Sequence, residues 1–474
     1  MFSPASSSVA SPAAAAPLSA RSSLAWSSAP LSIPTRALSC QMVDVATQTE
    51  PVYDLPPAPC RAFTGTATAP RYCASRSELP NEIWGEIANF SLRNDILNLR
   101  TVNRDVRMQA DRMITELTLR SSQALIDFAY TDGFKHIKTL HLRQTDGAAL
   151  ILLANRLTTH PRSNLVIDIA ECHVGLFDAL LALGALSLGA LRLKGVYVTP
   201  EVVGALADST FPITLTGYMT REELMNAARI PTLVELAVSS AQFSDDVALS
   251  FTAHPALQRL SFPVNQSFSS TGLSYLAAMP DLRSLRVYDT VFMANAISAT
   301  TARRLAAQGT LESLSIQTRM EPLSDACLSA LSNSRTLKSL GISLSSGIHH
   351  VTRMAALEHL TLDGSCFGSR PMDVPTAHLI GAMPTLNALQ LERITFHRDA
   401  FRTLIWHLRA ETLSLTTMSV EEDGVVALLA NTQLTSLSFV DVRIAPAHLI
   451  ALCQHATLER LTIDGVACRL ADAR

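Results

Sequence analysis

Aromatic residues are scarce in this 474-residue chain, at 5%, and charged residues make up only 17%. The first scarcity means that any core must be built from Leu, Ala, Ile and Val rather than from large rings. The second, with a formal net charge of −3, leaves no cationic surplus of the kind that nucleic acid or an anionic membrane would need as main partner. No cysteine pair has CxxC or zinc-finger spacing. The eight cysteines, at 40, 60, 73, 172, 327, 366, 453 and 468, are scattered and read as small buried hydrophobes in a reducing compartment. No apolar stretch reaches the ~20 residues of a membrane span. The longest, Leu176 to Leu191, is broken by Asp178, so a soluble chain with no membrane partner is expected. No HExxH, GxSxG, P-loop or GxGxxG context occurs. Among thirteen histidines only His349 and His350 adjoin, in a Ser/Gly-rich stretch that reads as a solvated turn. No catalytic residue, metal site or cofactor is expected.

Hydrophobic residues, at 48%, are plentiful enough for a large core. They are not spread evenly. Residues 1–76 form a tail whose first 35 residues are mostly Ser, Ala and Pro, with no acidic residue before Asp44. Such a segment buries too little apolar surface to offset its ordering entropy and is expected to be disordered. It lacks the charged n-region and clean apolar h-region of a Sec signal. A Ser-rich, acid-poor start fits a type III secretion signal or a plastid transit peptide, and a plain linker remains open.

Residues 77–114 have helical periodicity. Pro80 suits a first helical turn, where its missing N–H would be unpaired anyway. Ile83, Ile87 and Phe90 follow at i, i+4 and i+7, and Asn94 or Asp95 can cap a second helix carrying Ile96, Leu99, Val102 and Val106. In order, Leu79, Pro80, Glu82, Ile83, Ile87, Asp95, Ile96, Leu99, Val102, Asn103 and Arg104 resemble an F-box. The departure is Val106, where that family usually carries Trp, which removes one large contact. A module of this size cannot cover all its own apolar side chains. The resemblance implies that Leu79, Pro80, Ile83, Ile87, Leu99, Val102 and Val106 dock on a Skp-family linker and, through it, a cullin ligase. The alternative is a plain helical cap over the open N-terminal end of a solenoid.

From residue 115 to 474 one pattern recurs, L-x-x-L-x-L followed by an apolar helix-like run. Its clean copies include Leu257-x-x-Leu260-x-Phe262, Leu311-x-x-Leu314-x-Ile316 and Leu386-x-x-Leu389-x-Leu391. The central apolar position falls at 117, 140, 167, 191, 213, 236, 260, 285, 314, 340, 360, 389, 413, 437 and 461. That is about 15 repeats with a step near 25, within the range of leucine-rich repeats. The spacing predicts an α/β leucine-rich-repeat solenoid, parallel strands inside and helices outside. The ninth position, usually Asn or Cys, holds one of these only at Cys172 and Asn265; several copies hold Ser or Thr, and several an apolar residue such as Val196, Ile394 or Met418. The buried Asn that normally satisfies the turn is largely missing, so irregularity is expected, above all where steps stretch to 29 or shrink to 20.

An F-box followed by such repeats resembles the GALA-type F-box and leucine-rich-repeat effectors of plant-pathogenic bacteria. Gly204-Ala205-Leu206-Ala207 reproduces that family's namesake string, and Gly147–Leu150 and Gly424–Ala430 are looser versions. The resemblance covers residues 77–474. It implies a type III secreted protein in the cytoplasm or nucleus of a plant cell, and favours the secretion reading of the tail. The repeats run to the last few residues, so no added catalytic domain is expected. The role implied is that of a non-catalytic adaptor of an SCF-type ubiquitin ligase.

In an L-x-x-L-x-L strand the residues flanking the Leu positions alternate to the inner face. They are Arg120, His141, Arg143, Asp168, Arg192 and Lys194 in the early repeats, then mostly serines, including Ser261, Ser313, Ser315 and Ser343. Arg286 and Tyr288 stand out mid-way, and charge returns at His359, Asp363, Glu392, Arg460 and Asp464. Candidate contacts to a target protein are Arg120, His141, Arg143, Arg192, Lys194, Arg286 and Tyr288, the basic ones facing an acidic surface. A plain solubilising role for these charges stays open. So do a repeat protein with no ubiquitin role and a eukaryotic F-box protein.

Overall fold

The computed structural model describes residues 115–130, 136–171, 175–240, 242–290, 297–318, 322–365 and 370–468. The tail and the helical module, with Leu79, Pro80, Ile83, Ile87, Leu99, Val102 and Val106, lie outside the described residues.

The described residues form sixteen strands. They are β1 (Glu116–Leu119), β2 (Thr139–Arg143), β3 (Val166–Ala170), β4 (Ala190–Lys194), β5 (Ile213–Gly217), β6 (Leu233–Val238), β7 (Arg259–Pro263) and β8 (Ser284–Thr290). There follow β9 (Ser313–Thr318), β10 (Ser339–Ser343), β11 (His359–Asp363), β12 (Ala388–Glu392), β13 (Thr412–Thr416), β14 (Ser436–Val440), β15 (Arg460–Ile463) and β16 (Val466–Cys468). They make one sheet in sequence order. Every pairing up to β14–β15 is parallel, and β16 folds back antiparallel on β15. Parallel neighbours need a crossover, and an α-helix supplies it between all but one pair of consecutive strands up to β15. The architecture is a leucine-rich-repeat solenoid.

The recurrent leucine explains the stacking. Successive residues of a strand face opposite ways, so Leu-x-Leu sends two side chains under the sheet toward the helices. From Leu140 to Leu461 every predicted central position is at most 1% exposed, and only Leu117, in the first strand, is half-buried. The ladder joins these positions in register, Leu117 to Leu140 to Ile167 to Leu191 to Ile213 and again Leu236 through to Leu461. The core is mostly aliphatic. Aromatic packing is confined chiefly to a Phe243, Phe251, Phe262 and Phe268 cluster, with Phe243 and Phe262 centroids 3.9 Å apart.

One expected step fails. Ile213 does not pair with Leu236; it pairs with Leu233, while Leu215 pairs with Leu236, and a bulge at Val234 absorbs the difference. Leu233 and Leu236 are three apart, which a regular strand would point to opposite faces. The extra residue lets both be buried. Downstream rows of the sheet face are consequently offset by two residues from those upstream.

The other irregularities follow repeat length. The 20-residue step from Leu340 to Leu360 leaves no room for an α-helix, and a tighter 3-10 helix, Ser346–Arg353, takes its place. The 29-residue steps, Leu285 to Leu314 and Leu360 to Leu389, include residues 291–296 and 366–369, which lie outside the described residues. Gly147, which opens the helix of the second repeat, is forced by packing: a Cβ there would lie 2.0 Å from the Gly175 carbonyl oxygen.

Two devices compensate for the missing asparagines. At strand exits, left-handed residues turn the chain: Gln144, Glu171, Gly195, Arg393, Thr417, Asp441 and Asp464 all have φ between 49° and 66°. The freed N–H then reaches the next repeat, as from Gly195 to the Thr216 carbonyl (2.8 Å) and from Thr417 to that of Val440 (2.8 Å). At strand entries, the residue three before the first leucine is polar in some repeats. His254 Nε2 donates to the Ile230 carbonyl (2.9 Å) while its Nδ1 accepts from the Leu257 N–H (3.1 Å). Asn431 occupies the same position before Leu434. Just before the leucine, Thr336, Thr385 and Thr457 hydroxyls donate to the carbonyls of Leu311, Leu357 and Leu434, tying repeat to repeat at 2.8–2.9 Å.

These bonds fix the protonation state of His254, since Nδ1 accepts only when bare. Burial holds its pKa below the usual 6.5, outweighing the Ile230 carbonyl. The unfolded chain takes up a proton near that pH which the folded chain refuses, so this site's stability is full above about pH 6.5 and falls as the pH drops below it. His254→Asn, which can copy the bonding of Asn431, should flatten that loss. Urea unfolding of the two proteins at about pH 7.5 and about pH 5.5 measures it. An equal acid loss in both would show that the ring does not titrate as described.

Candidate protein-interaction face

With leucines under the sheet and helices beyond them, the opposite face of β1–β15 is open. Its side chains form rows set by the ladder. In the early repeats one row runs Glu116, Thr139, Val166 and a second Thr118, His141, Asp168, Arg192. A third runs Arg143, Ala170, Lys194. Arg120 follows β1 directly and is exposed, as are Arg143, Arg192 and Lys194.

Four of the predicted contacts are therefore brought together on β2–β4. They do not behave alike. His141 is held between carboxylates, with Nδ1 3.0 Å from Asp168 Oδ2 and Nε2 4.0 Å from Glu116 Oε2. Arg143, Arg192 and Lys194 have no ion-pair partner among the described residues, so they supply the free positive charge. Arg286 and Tyr288 lie on β8, about 19 Å from β4 at the usual strand spacing. They form a separate patch. Arg286 lies over the Tyr288 ring, Cζ 5.7 Å from its centroid, and the Tyr288 hydroxyl donates to the Val238 carbonyl across β7 at 2.7 Å. Tyr288 is thus a rigid surface rather than a free side chain.

Beyond β8 short hydroxyls recur along the face, with His359, Gln390, Glu392 and Arg460 set among them. Ser284, Ser313 and Ser339 share one row, Ser315, Gly341 and Thr361 the next, and Ser414, Ser438 and Thr462 continue it. The Thr-Leu-Ser-Leu and Ser-Leu-Ser-Phe strings at 412–415 and 436–439 carry this signal, which an argument from charge alone passes over. The floor is low, and a partner's backbone can approach it closely.

Three sequence readings are corrected. Asp363 is 3% exposed. It is clamped by Arg393 Nη2 (3.0 Å), the Ser365 N–H (2.9 Å) and the Ser365 hydroxyl (2.8 Å), and this carboxylate raises the Arg393 pKa. Ser343 is fully buried, accepting from the Thr318 N–H (3.0 Å) and donating to the Thr318 carbonyl (2.9 Å). Both sit at the last strand position, where the ends of neighbouring repeats bind them. His349 and His350 occupy the 3-10 helix, not a solvated turn. His350 is buried, with Nε2 3.3 Å from Asp325 Oδ2.

A cleft of about 490 Å³ lies beside that helix, lined by Ser345, Ile348, Arg370, Met372, Asp373 and His397 among others. Its carboxylate is committed to structure. Asp373 caps the helix Val374–Gly381 by accepting from the Thr376 N–H (2.9 Å), and the Thr376 bonds hold its pKa below the usual value. Among the described residues no helix is long and apolar enough to cross a membrane.

No family model matches this chain, and no curated protein matches it either. Solved structures of similar fold include yeast Rad7 in complex with Elc1, at 16% identity and TM-score 0.40, covering 62% of this chain and 75% of that one. An internalin (InlF) from Listeria monocytogenes has 16% identity and TM-score 0.35, covering 68% and 93%. TLR13 in complex with ssRNA13 has 12% identity and TM-score 0.33, covering 76% of this chain and 57% of that one. The class defined by the repeat geometry is a leucine-rich-repeat scaffold with an extended open sheet face, a surface suited to holding another macromolecule.

Proposed function

We propose that this chain is the substrate receptor of an SCF-type ubiquitin ligase. Residues 77–114 dock on a Skp-family linker, and the face of β1–β15 holds a target protein. The observation that carries the reading is the sheet itself: fifteen parallel strands presenting one uninterrupted face, joined to a segment whose Leu79–Arg104 match an F-box in order. Ubiquitin transfer then needs nothing reactive from this chain, because holding the target near the ligase raises its effective concentration. The likeness to GALA-type effectors supports delivery by type III secretion through residues 1–76 into a plant cell. Reconstitution tests the core of this reading. Purified full-length chain mixed with a Skp-family linker and its cullin should elute as one complex, and elution apart would leave a repeat scaffold without a ubiquitin role.

Target capture depends on the free cations of β2–β4. Arg143→Glu, Arg192→Glu and Lys194→Glu together should lower recovery of target from plant extract on immobilised full-length chain by about tenfold, with a slower on-rate and weaker salt dependence. Unchanged recovery would assign those charges to solubility.

A further inference from the structure

We propose that Asp325, His349 and His350 form a binding site for a divalent transition-metal ion of the zinc class, on the helix side of the solenoid and apart from the open sheet face. Each offers one ligand atom, and the three atoms lie within 4.8 Å of one another.

The site is a consequence of the shortest repeat. Because only 20 residues separate Leu340 from Leu360, the connecting element is a 3-10 helix that packs against the helix Asp325–Leu331. The approach is close because residue 347 is glycine: a Cβ there would sit 2.9 Å from both Cα and Oδ1 of Asp325. That contact brings the carboxylate of one repeat up to two adjacent imidazoles of the next, whose ring centroids are 4.1 Å apart.

The donor set is two nitrogens and one oxygen, which suits zinc, cobalt, nickel or copper rather than calcium or magnesium. With metal–ligand bonds of about 2.0–2.1 Å, tetrahedral ligand atoms stand about 3.3 Å apart. His350 Nε2 and Asp325 Oδ2 are already at 3.3 Å. His349 and Asp325 are both exposed, so their side chains are free to close the remaining gap. The tautomer of His349 is set correctly: its Nδ1 faces the Ser346 carbonyl at 3.3 Å, which places the proton there and leaves Nε2 bare. His350 lacks that support, since its Nδ1 is buried with no hydrogen-bond partner. A metal on Nε2 would push the proton onto that orphaned nitrogen. The missing outer contact weakens such a site by about 10–100-fold. Water completes the fourth position.

Cobalt tests it, because tetrahedral Co²⁺ absorbs visible light far more strongly than the aqueous ion. Full-length chain stripped with chelator is titrated with Co²⁺. The expected result is a visible band saturating at one equivalent and erased by Zn²⁺. His349→Ala, a surface change, should weaken the titration by about tenfold or more while leaving the metal-free unfolding curve in place, and Asp325→Asn should weaken it likewise. A wild-type spectrum identical to aqueous Co²⁺ would overturn the site. So would a His349→Ala titration that matches wild type, since the ion would then sit elsewhere.

Discussion

Full-length chain carrying Leu79→Ala and Pro80→Ala is expected to bind a Skp-family linker at least a hundredfold more weakly than wild type. A large apolar side chain fully buried at an interface contributes about 1.5–3 kcal/mol. Alanine forfeits most of that at Leu79 and adds the loss of the proline ring, whose fixed φ lowers the ordering cost of docking. Together they remove about 3–4 kcal/mol, two to three decades in affinity. Calorimetry with purified linker reads the loss directly. The control is the thermal transition of the repeats, which these positions at 79 and 80 should leave unmoved. Retained affinity would mean that the match to an F-box is coincidental and that residues 77–114 serve only the solenoid. The variant therefore separates a ligase subunit from a plain binding scaffold without knowledge of the target.

The repeat geometry was legible because a single chemical need, burying two leucines per strand, writes itself every 20 to 29 residues. That need also set the positions from Leu140 to Leu461 that are now shielded from water. The slip between β5 and β6 was not legible, since the 23-residue step from Ile213 to Leu236 looks ordinary. Leu257, Leu282 and Leu311 are buried at the same spacing without a slip; what differs here is that Leu233 lies inside its strand. The same holds at the sheet face. Arg143, Arg192 and Lys194 are placed by alternation alone and emerge exposed where expected. Asp363 and Ser343 obey the same alternation yet are held by adjoining repeats, Ser343 by Thr318 at the end of β9 and Asp363 by Arg393 after β12, contacts between residues 25 to 30 apart that no local pattern encodes. Asp325 and His350 meet for a similar reason, 25 residues apart in sequence.

The loss of the usual asparagine ladder has its largest energetic consequence at Asn431. This side chain is 7% exposed and makes four hydrogen bonds at the entry to β14. Its Nδ2 donates to the Ile405 carbonyl (2.7 Å) and the Leu408 carbonyl (3.0 Å), both in the preceding repeat. Its Oδ1 accepts from the Gln433 N–H (2.8 Å) and the Leu434 N–H (3.2 Å). An amide has two donors and a carbonyl oxygen, and here all are used. Asn431→Ala leaves the Leu408 carbonyl on one side of a repeat junction and the buried Leu434 N–H on the other without this partner, at about 1–3 kcal/mol for each that water cannot reach. A total of about 3–5 kcal/mol is expected, against the ordinary cost near 1 kcal/mol for a point change. Because each repeat leans on its neighbours, the damage should be local: repeats from β13 onward should open in hydrogen exchange while β2–β10 keep their protection. Asn431→His should recover much of the loss, since His254 meets the same demand at the equivalent position with one donor and one acceptor. Uniform loss of protection along the whole sheet would show instead that the solenoid unfolds as one unit. A loss below about 1 kcal/mol would show that water, not Asn431, satisfies this turn.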